Sequence, residues 1–399
     1  MNLYLIVNII GVAAFIGLAF LFSKNKKKVQ WKSISILILF NVFLAWFLVV
    51  FPIGRWFISQ VAVGFSWLIE TAFSGIGFAF ASMVHVENMD VVFAALMPIL
   101  LIVPLFDILT YFGVLPKIIH ALGWALSKLT RRPKFESFYA IEMMFLGNTE
   151  ALAVSSGQLK SMSTERLFTV SLMSMSCVSA AMIGVYTQML PSQFVLTAIP
   201  LNIINAIIVT SILNPVEVPM DEDVIFVMEK KEKPPFFSFL GDSILGAGKL
   251  ILIITAMLIS FVALAALIDK ILNIFAPWLT LSSILGTVMT PFSLLLGLPI
   301  NEAFQTAQYM GTKLVTNEFV VMAEITTKLD SFTPHMKAVL STFLVSFANF
   351  STIGMILGCF KGIVSKEKSD QLSRGVWMMI LSGTLVSLLS AALVGLFVW

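Results

Sequence analysis

Long apolar runs dominate the chain and alternate with short stretches rich in cations. A helix needs roughly 20 apolar residues to cross a bilayer, and several runs reach that length. In lipid, such runs are stable as helices because a helix satisfies its own backbone hydrogen bonds. The pattern therefore predicts an all-α polytopic membrane protein with eight transmembrane helices, at 3–22, 33–52, 91–113, two within 166–213, 247–276, 335–358 and 375–398.

The cation-rich stretches set the predicted topology. They are 23–32, which contains five lysines, then 116–137, 214–240 and 360–374. With eight spans, all four fall on one side of the membrane. The positive-inside bias assigns that side to the cytoplasm, so both termini are expected outside.

Four further segments do not fit as simple spans. Residues 53–72 and 118–130 are apolar on one face and are predicted to lie along the interface. Residues 135–163 and 281–319 contain Gly, Pro and mid-segment carboxylates. A single crossing at 135–163 would switch the cation clusters between sides, so each of these two segments is predicted to be a re-entrant hairpin.

The two hairpins begin similar stretches of sequence. A Thr/Asn/Glu cluster is followed by a polar elbow and then by a span interrupted by small residues. Glu150 precedes Gly184 by 34 residues, and Glu318 precedes Gly354 by 36. By the span count the first hairpin enters from the cytoplasm and the second from outside. An inverted repeat with broken segments is typical of a transporter with its site near mid-membrane.

Composition excludes a soluble protein and gives no sign of an enzyme. Of 399 residues, 58% are hydrophobic and 12% charged, with a mean hydropathy of +0.97. Soluble proteins carry about twice that share of charge. Cys177 and Cys359 lie in apolar segments, which indicates no disulfide framework. The sequence lacks a Walker A motif and a nucleophile–His–acid pattern. We expect no enzymatic activity, cofactor, metal site or nucleic-acid partner. The start of the chain is expected to be a first span and not a signal peptide.

Three motifs resemble signature segments of the concentrative nucleoside transporters. They are "GNTE" at 147–150, "GTKLVTNEFV" at 311–320 and "FANFSTIG" at 347–354, and the similarity extends over nearly the whole chain. The resemblance implies import of nucleosides by cation symport with alternating access. It also implies a homotrimer in a plasma membrane, which the short loops suggest is a bacterial inner membrane. Each protomer would have scaffold and transport domains, divided here as 1–115, 116–213, 214–276 and 277–399.

The resemblance also implies which side chains bind the nucleoside. Asn148, Thr149 and Glu150 would face the base, and Glu318, Asn349 and Thr352 the ribose. Three structural readings remain open: buried glutamates neutralised by local hydrogen bonds, helix caps formed by Asn and Thr, and packing of small polar residues between helices. The substrate-binding candidates are Asn148, Thr149, Glu150, Glu318, Asn349, Ser351, Thr352 and Phe347.

Met143 bears on the coupling ion. Sodium-coupled members carry Asn at this position as a sodium ligand, and a thioether is a poor ligand for a hard cation. Backbone carbonyls of the hairpin and of the span 176–184 remain possible sodium ligands. The residues favour H⁺ coupling, with Glu150 or Glu318 as proton carrier because burial favours the neutral carboxyl. Asn148 stands where the family more often has Gln, and its shorter side chain is expected to favour purines.

Alternatives remain open. They are a Na⁺-coupled nucleoside symporter, a transporter of another polar solute, and a nucleoside-gated channel or sensor on the same scaffold. Lys313 is expected either to hold the second hairpin near Glu302 or Glu318 or to be a lysine that reaches to the interface.

Overall fold

The computed structural model describes residues 3–84, 86, 89–130, 133–219, 223 and 233–399. Within these residues the regular elements are helices, twenty of them α-helical. Arg131 and Arg132, two of the predicted cytoplasmic cations, lie outside the described residues, as does the stretch 224–232. The prediction of an all-α fold is confirmed.

The N-terminal third contains helices that lie mainly at the surface of the chain. A π-helical turn, Val92–Leu96, leads into the last of them. The third helix was predicted to lie along the interface over 53–72 but continues for 28 residues, with Pro52 at its first position, where the missing N–H is tolerated. These helices are α1 (Leu3–Leu21), α2 (Trp31–Val49), α3 (Pro52–Ala79), α4 (Ala81–Val84) and α5 (Ile99–Tyr111).

The first repeat follows. Its hairpin turns at Gly147, where a φ of 99° suits glycine and few other residues. Its broken span has an irregular segment at 175–179 between two short helices. The helices are α6 (Val114–Thr130), α7 (Lys134–Leu146), α8 (Asn148–Val154), α9 (Ser156–Ser161), α10 (Thr164–Ser174), α11 (Ala180–Met189) and α12 (Ser192–Leu213).

A 40-residue helix then leads to the second repeat. That repeat has its hairpin tip at Thr316 and Asn317 and an irregular segment at 345–349. The helices are α13 (Phe236–Phe275), α14 (Leu281–Leu294), α15 (Ile300–Val315), α16 (Glu318–Ile325), α17 (Pro334–Leu344), α18 (Phe350–Ile363), α19 (Lys366–Ser373) and α20 (Val376–Gly395).

The two repeats keep a constant separation of 170 residues. α10 and α17 each have 11 residues and begin at Thr164 and Pro334. The breaks at 175–179 and 345–349 have the same separation. So do Gly147 and Asn317, which immediately precede α8 and α16. Residues 170 apart therefore occupy equivalent positions in the two repeats.

This register corrects the alignment of the two acidic clusters. Gly184 and Gly354 are equivalent in this register, but Glu150 and Glu318 are not. The counterpart of Glu318 is Asn148, two residues before Glu150. The helix starts define the register of 170 residues, whereas the two glutamates are 168 residues apart and therefore occupy positions that differ by two.

The first hairpin, α7 to α9, spans 134–161, close to the predicted 135–163. The predicted bounds of the second hairpin, 281–319, are wrong. α14 packs along α15 as α6 packs along α7, and Gly297, with a φ of 80°, reverses the chain between α14 and α15. The hairpin is α15 and α16, residues 300–325. The sequence did not separate α14 because it is short and apolar.

The core lies around α12 and α20. In their most apolar windows, 94% and 83% of the residues are buried, against 11% in α13. Among the described residues, seven helical segments are long and apolar enough to cross a membrane. Six coincide with predicted spans, and the broken pairs α10–α11 and α17–α18 correspond to the other two predicted spans. The seventh is α3, which covers the stretch predicted to lie along the interface. The exposed apolar surface of α13 is suited to lipid or to another subunit.

Candidate functional site

Glu318 lies at the tip of the second hairpin. Asn317 caps α16 by accepting a hydrogen bond from the backbone N–H of Val320 at 3.1 Å. The Glu318 residue is 1% exposed. Its Oε1 accepts from the hydroxyl of Tyr186 at 2.9 Å, and its Oε2 accepts from Nδ2 of Asn349 at 3.0 Å. The donors come from the two broken spans, so this one carboxyl group connects both repeats.

Asn349 caps the second half of its broken span. Its Oδ1 accepts from the backbone N–H of Thr352 at 2.9 Å, from the Thr352 hydroxyl at 3.0 Å and from the Ser351 hydroxyl at 2.8 Å. Phe347 is half-buried in the same break. The capping reading was made for Asn148 and Thr149, but α8 begins after Gly147 without a side-chain cap, and the cap is found at Asn349 instead. This cap is compatible with binding, because both hydroxyl oxygens keep lone pairs that can accept from a ligand.

The tip of the first hairpin brings together the other three polar candidates. Asn148 donates from Nδ2 to the carbonyl of Ser174 at 3.3 Å and accepts from the N–H of Thr149 at 2.9 Å. The Thr149 hydroxyl donates to Oε2 of Glu150 at 2.7 Å. Glu150 is exposed, unlike Glu318. The first tip thus presents an accessible carboxyl group, and the second holds a buried one.

Both tips lie against α11. A Cβ added to Gly147 would lie 3.0 Å from Oε2 of Glu150 and 3.1 Å from Cβ of Ser179, the residue that precedes α11. Tyr186, which binds Glu318, lies seven residues further along. At 1.5 Å per residue this is about 10 Å along the helix axis. α8 also packs on α18, which begins next to Asn349. The two groups of candidates are therefore held on a common frame.

Met143 and Glu142 are adjacent buried residues of the first hairpin. Met143 is completely buried on α7, and its carbonyl accepts from the N–H of Gly147 at 2.9 Å. Its neighbour Glu142 is also buried and accepts from the hydroxyl of Ser155 at 2.7 Å. That bond ties the two arms of the hairpin together. A thioether at this depth provides no hard oxygen ligand.

Sequence reasoning missed Tyr186 and left Lys313 undecided. The sequence contained a signal for Tyr186, because its phenol lies in a span that is interrupted by polar residues. Lys313 is fully buried and does not reach to the interface. Its Nζ donates to the carbonyl of Phe343 and to the hydroxyl of Ser346, whereas Glu302 accepts from the hydroxyl of Thr333 at 2.9 Å.

Family models match almost the whole chain. "Na+ dependent nucleoside transporter N-terminus" matches residues 10–83, "Nucleoside recognition" matches 92–193, and "Na+ dependent nucleoside transporter C-terminus" matches 194–395. The chain belongs to the concentrative nucleoside transporter family. The transporter is 48% identical over 397 residues to the purine nucleoside transport protein NupG of Bacillus subtilis, covering all of both chains. It is 27% identical over 409 residues to the nucleoside permease NupC of Helicobacter pylori, covering 98% of this chain and 97% of that protein.

The fold is that of CNTnw. Its inward-facing, substrate-bound structure matches with a TM-score of 0.93 at 24% identity, over 100% of this chain and 98% of CNTnw. A variant of CNTnw in an outward-facing state matches with a TM-score of 0.93, also at 24% identity, over 100% and 99%. The chain is thus an integral membrane nucleoside transporter and not an enzyme, as the sequence predicted.

Proposed function

We propose that this transporter is a secondary active importer that moves purine nucleosides inward together with H⁺. The main support is the buried carboxyl group of Glu318, joined to Tyr186 and Asn349 where the two repeats meet. A carboxyl group at membrane depth is costly unless it is paired or functional. Ribose hydroxyls suit this group because each can both donate and accept.

In this proposal the ribose lies at the second tip, where Glu318 and Asn349 bond its hydroxyls. Ser351 and Thr352 add hydroxyl oxygens as acceptors, and Phe347 covers the sugar. The base lies at the first tip, against Asn148, Thr149 and Glu150. The separation of about 10 Å along α11 leaves room for a base joined to a sugar.

Purines are the proposed bases for two reasons. Asn148 is one methylene shorter than the Gln that the family more often has, which enlarges the base side of the site. The relative that is 48% identical is described as a purine nucleoside transport protein.

The buried thioether of Met143 supports H⁺ as the coupling ion. Glu150 is exposed, so the burial expected from the sequence applies to Glu318 and not to Glu150. Glu150 is still the proposed proton carrier, because it is accessible at the tip and accepts from Thr149. Once protonated, it can donate to a base. Glu318 is the second candidate. The loaded transport domain then moves and opens the site to the other side. Ion and nucleoside must favour each other's binding reciprocally.

One observation favours Na⁺ instead. The hydroxyl of Ser176, in the first break, is buried and has no hydrogen-bond partner among the described residues. A buried hydroxyl without a partner costs about 1–3 kcal/mol. A cation held by this oxygen and by backbone carbonyls of the break would remove that cost.

We also propose the assembly and location that the family resemblance implies: a homotrimer in the bacterial inner membrane, with both termini outside. The scaffold comprises 1–115 and 214–276, and the transport domain comprises 116–213 and 277–399. The exposed apolar surface of α13 supports both lipid contact and subunit contact.

Purified protein in liposomes tests the proposal. A pH gradient and a sodium gradient are applied separately with labelled adenosine, inosine and uridine. We expect the pH gradient to drive accumulation of adenosine and inosine above the outside concentration, and an uncoupler to abolish it. Accumulation driven only by sodium would establish the alternative ion. Equilibration without accumulation would indicate a channel, and an absence of flux would indicate a sensor.

Two variants test whether nucleoside uptake depends on the proposed binding site. Glu318→Gln removes the carboxylate and should abolish accumulation. Glu324→Gln, on the same helix, is the matched control because Glu324 is exposed and pairs only at the surface with Lys328. Equal uptake by the two variants would contradict the placement of substrate at Glu318.

A further inference from the structure

Lys313 is surrounded by groups that favour a positive charge. It lies on α15, four residues before the cap Asn317, and is 0% exposed. Its Nζ donates to the carbonyl of Phe343 at 2.6 Å and to the hydroxyl oxygen of Ser346 at 2.6 Å. It also lies 4.5 Å from the centre of the Phe343 ring. Two oxygen acceptors and an aromatic face form an environment suited to a cation.

The charge orders a chain of hydroxyl groups behind it. The Ser346 hydroxyl is hydrogen-bonded to that of Ser387 at 2.6 Å, and the Ser387 hydroxyl donates to the carbonyl of Gly383 at 2.9 Å. An ammonium group can only donate. Ser346 therefore accepts from Lys313 and gives its own proton to Ser387. The chain fixes the second break against α20.

The first repeat shows the same arrangement without the charge. The residues 170 positions earlier are Met143, in place of Lys313, and Ser176, in place of Ser346. Met143 is uncharged, and the Ser176 hydroxyl has no partner in the described part of the chain. The matching backbone geometry alone thus leaves this serine unsatisfied. In the second repeat the equivalent serine, Ser346, is bonded both by the ammonium group and by the Ser387 hydroxyl.

Lys313 also acts on the candidate site. It holds the second break at Phe343 and Ser346, and Asn349 at the far end of that break donates to Glu318. We propose that Lys313 is a positioning residue for nucleoside binding: its ammonium group is a cation tethered at the second break, which takes the place of a diffusible ion and holds Glu318 and Asn349 in their binding geometry. This inference rests on the proposed nucleoside site.

Chemical rescue tests the proposal on the purified full-length protein. Lys313→Ala removes the equivalent of propylammonium, and Lys313→Met keeps the bulk of the stem without the charge. Binding of labelled adenosine is measured in choline chloride, with and without propylammonium chloride. Loss of the buried ammonium group that holds the break should weaken binding by at least about 30-fold in both variants. Propylammonium should restore binding to Lys313→Ala and not to Lys313→Met.

Rescue distinguishes a tethered charge from a merely structural side chain, which added amine would not replace. Lys361→Ala, at an exposed lysine, is the control for effects of propylammonium on the protein. Binding by Lys313→Met at the wild-type level, or weak binding by folded Lys313→Ala without rescue, would overturn the inference.

A second pair of variants covers the case in which the lysine variants do not fold. Ser346→Ala removes the acceptor of Lys313 and should weaken binding by roughly tenfold. Ser341→Ala is its match, because the Ser341 hydroxyl is buried without a partner in the described residues. Equal binding by these two would also overturn the inference. Failure of the wild-type protein to bind adenosine or inosine would overturn the proposed function itself. If the wild-type protein binds and the variants bind equally tightly, only the role of Lys313 is overturned.

Discussion

The hydroxyl of Tyr186 donates to Oε1 of Glu318 across 2.9 Å, and both residues are buried. The bond joins the broken span of the first repeat to the hairpin tip of the second. A movement of either repeat relative to the other must therefore either keep this bond or break it. It links the two halves of the candidate site directly.

Tyr186→Phe deletes the donor and keeps the ring. A hydrogen bond to a charged group contributes about 1.5–3 kcal/mol, so the KM for adenosine should rise about tenfold or more. Uptake kinetics at matched expression measure the change. Tyr309→Phe is a suitable control because that ring lies on α15, away from the tip. An unchanged KM for Tyr186→Phe would show that the bond does not shape the site.

Gly147→Ala should damage the first tip. The φ of 99° and ψ of 171° are almost restricted to glycine, and the added Cβ would crowd Glu150 and Ser179. Such strain costs about 1–3 kcal/mol, so we expect a lower apparent melting temperature and reduced uptake. Gly157→Ala, where an added Cβ has open space, is the control. Similar behaviour of the two variants would contradict a conformational requirement at Gly147.

Met143→Asn should change the ion dependence. The substitution places an amide oxygen, a harder ligand than a thioether, at the position of the sodium ligand in sodium-coupled members. Nucleoside uptake is measured against the concentration of NaCl, with choline chloride keeping the ionic strength constant. We expect sodium to lower the KM more in this variant than in the wild type. Met144→Asn faces another side of α7 and should show no such gain; a gain in both would indicate an unspecific effect.

Arg166 and Glu136 form a buried ion pair between α10 and α7, with Nε–Oε1 and Nη2–Oε2 distances of 2.9 and 3.0 Å. Arg166→Met leaves a buried carboxylate without its partner, which costs about 3–5 kcal/mol. The apparent melting temperature should fall clearly in Arg166→Met and less in the double variant Arg166→Met with Glu136→Gln.

Lys328→Met breaks the exposed pair with Glu324 and is the control for charge removal at the surface. Exposed pairs contribute about 0–1 kcal/mol, so its melting temperature should stay near that of the wild type. A double variant less stable than Arg166→Met would contradict the cost assigned to the unpaired carboxylate.

The sequence predicted the spans well because each depends on local composition. A run of about 20 apolar residues forms a helix in lipid regardless of its neighbours. The first hairpin was also predictable, because Gly147 and the polar residues after it mark the tip. The second hairpin was not, since α14 and α15 are two similar short helices and only their packing shows which belongs to the hairpin.

In the candidate site, too, some features follow from local sequence and others only from tertiary packing. Motif similarity selected Asn148, Glu318 and Asn349 as candidates. It could not reveal that Glu150 is exposed and Glu318 buried, because burial depends on which distant helices pack around each tip. Nor could it reveal Tyr186 as a partner of Glu318, 132 residues away in the chain.

The sequence by itself determined a helical membrane protein with two related halves and the family to which it belongs, because hydrophobicity, short motifs and spacing are local properties. The tertiary structure alone decided the register between the halves, in which Lys313 corresponds to Met143 and Glu318 to Asn148. That register depends on where helices begin and end in space, and a buried charge is stabilised only by the groups that the fold brings around it.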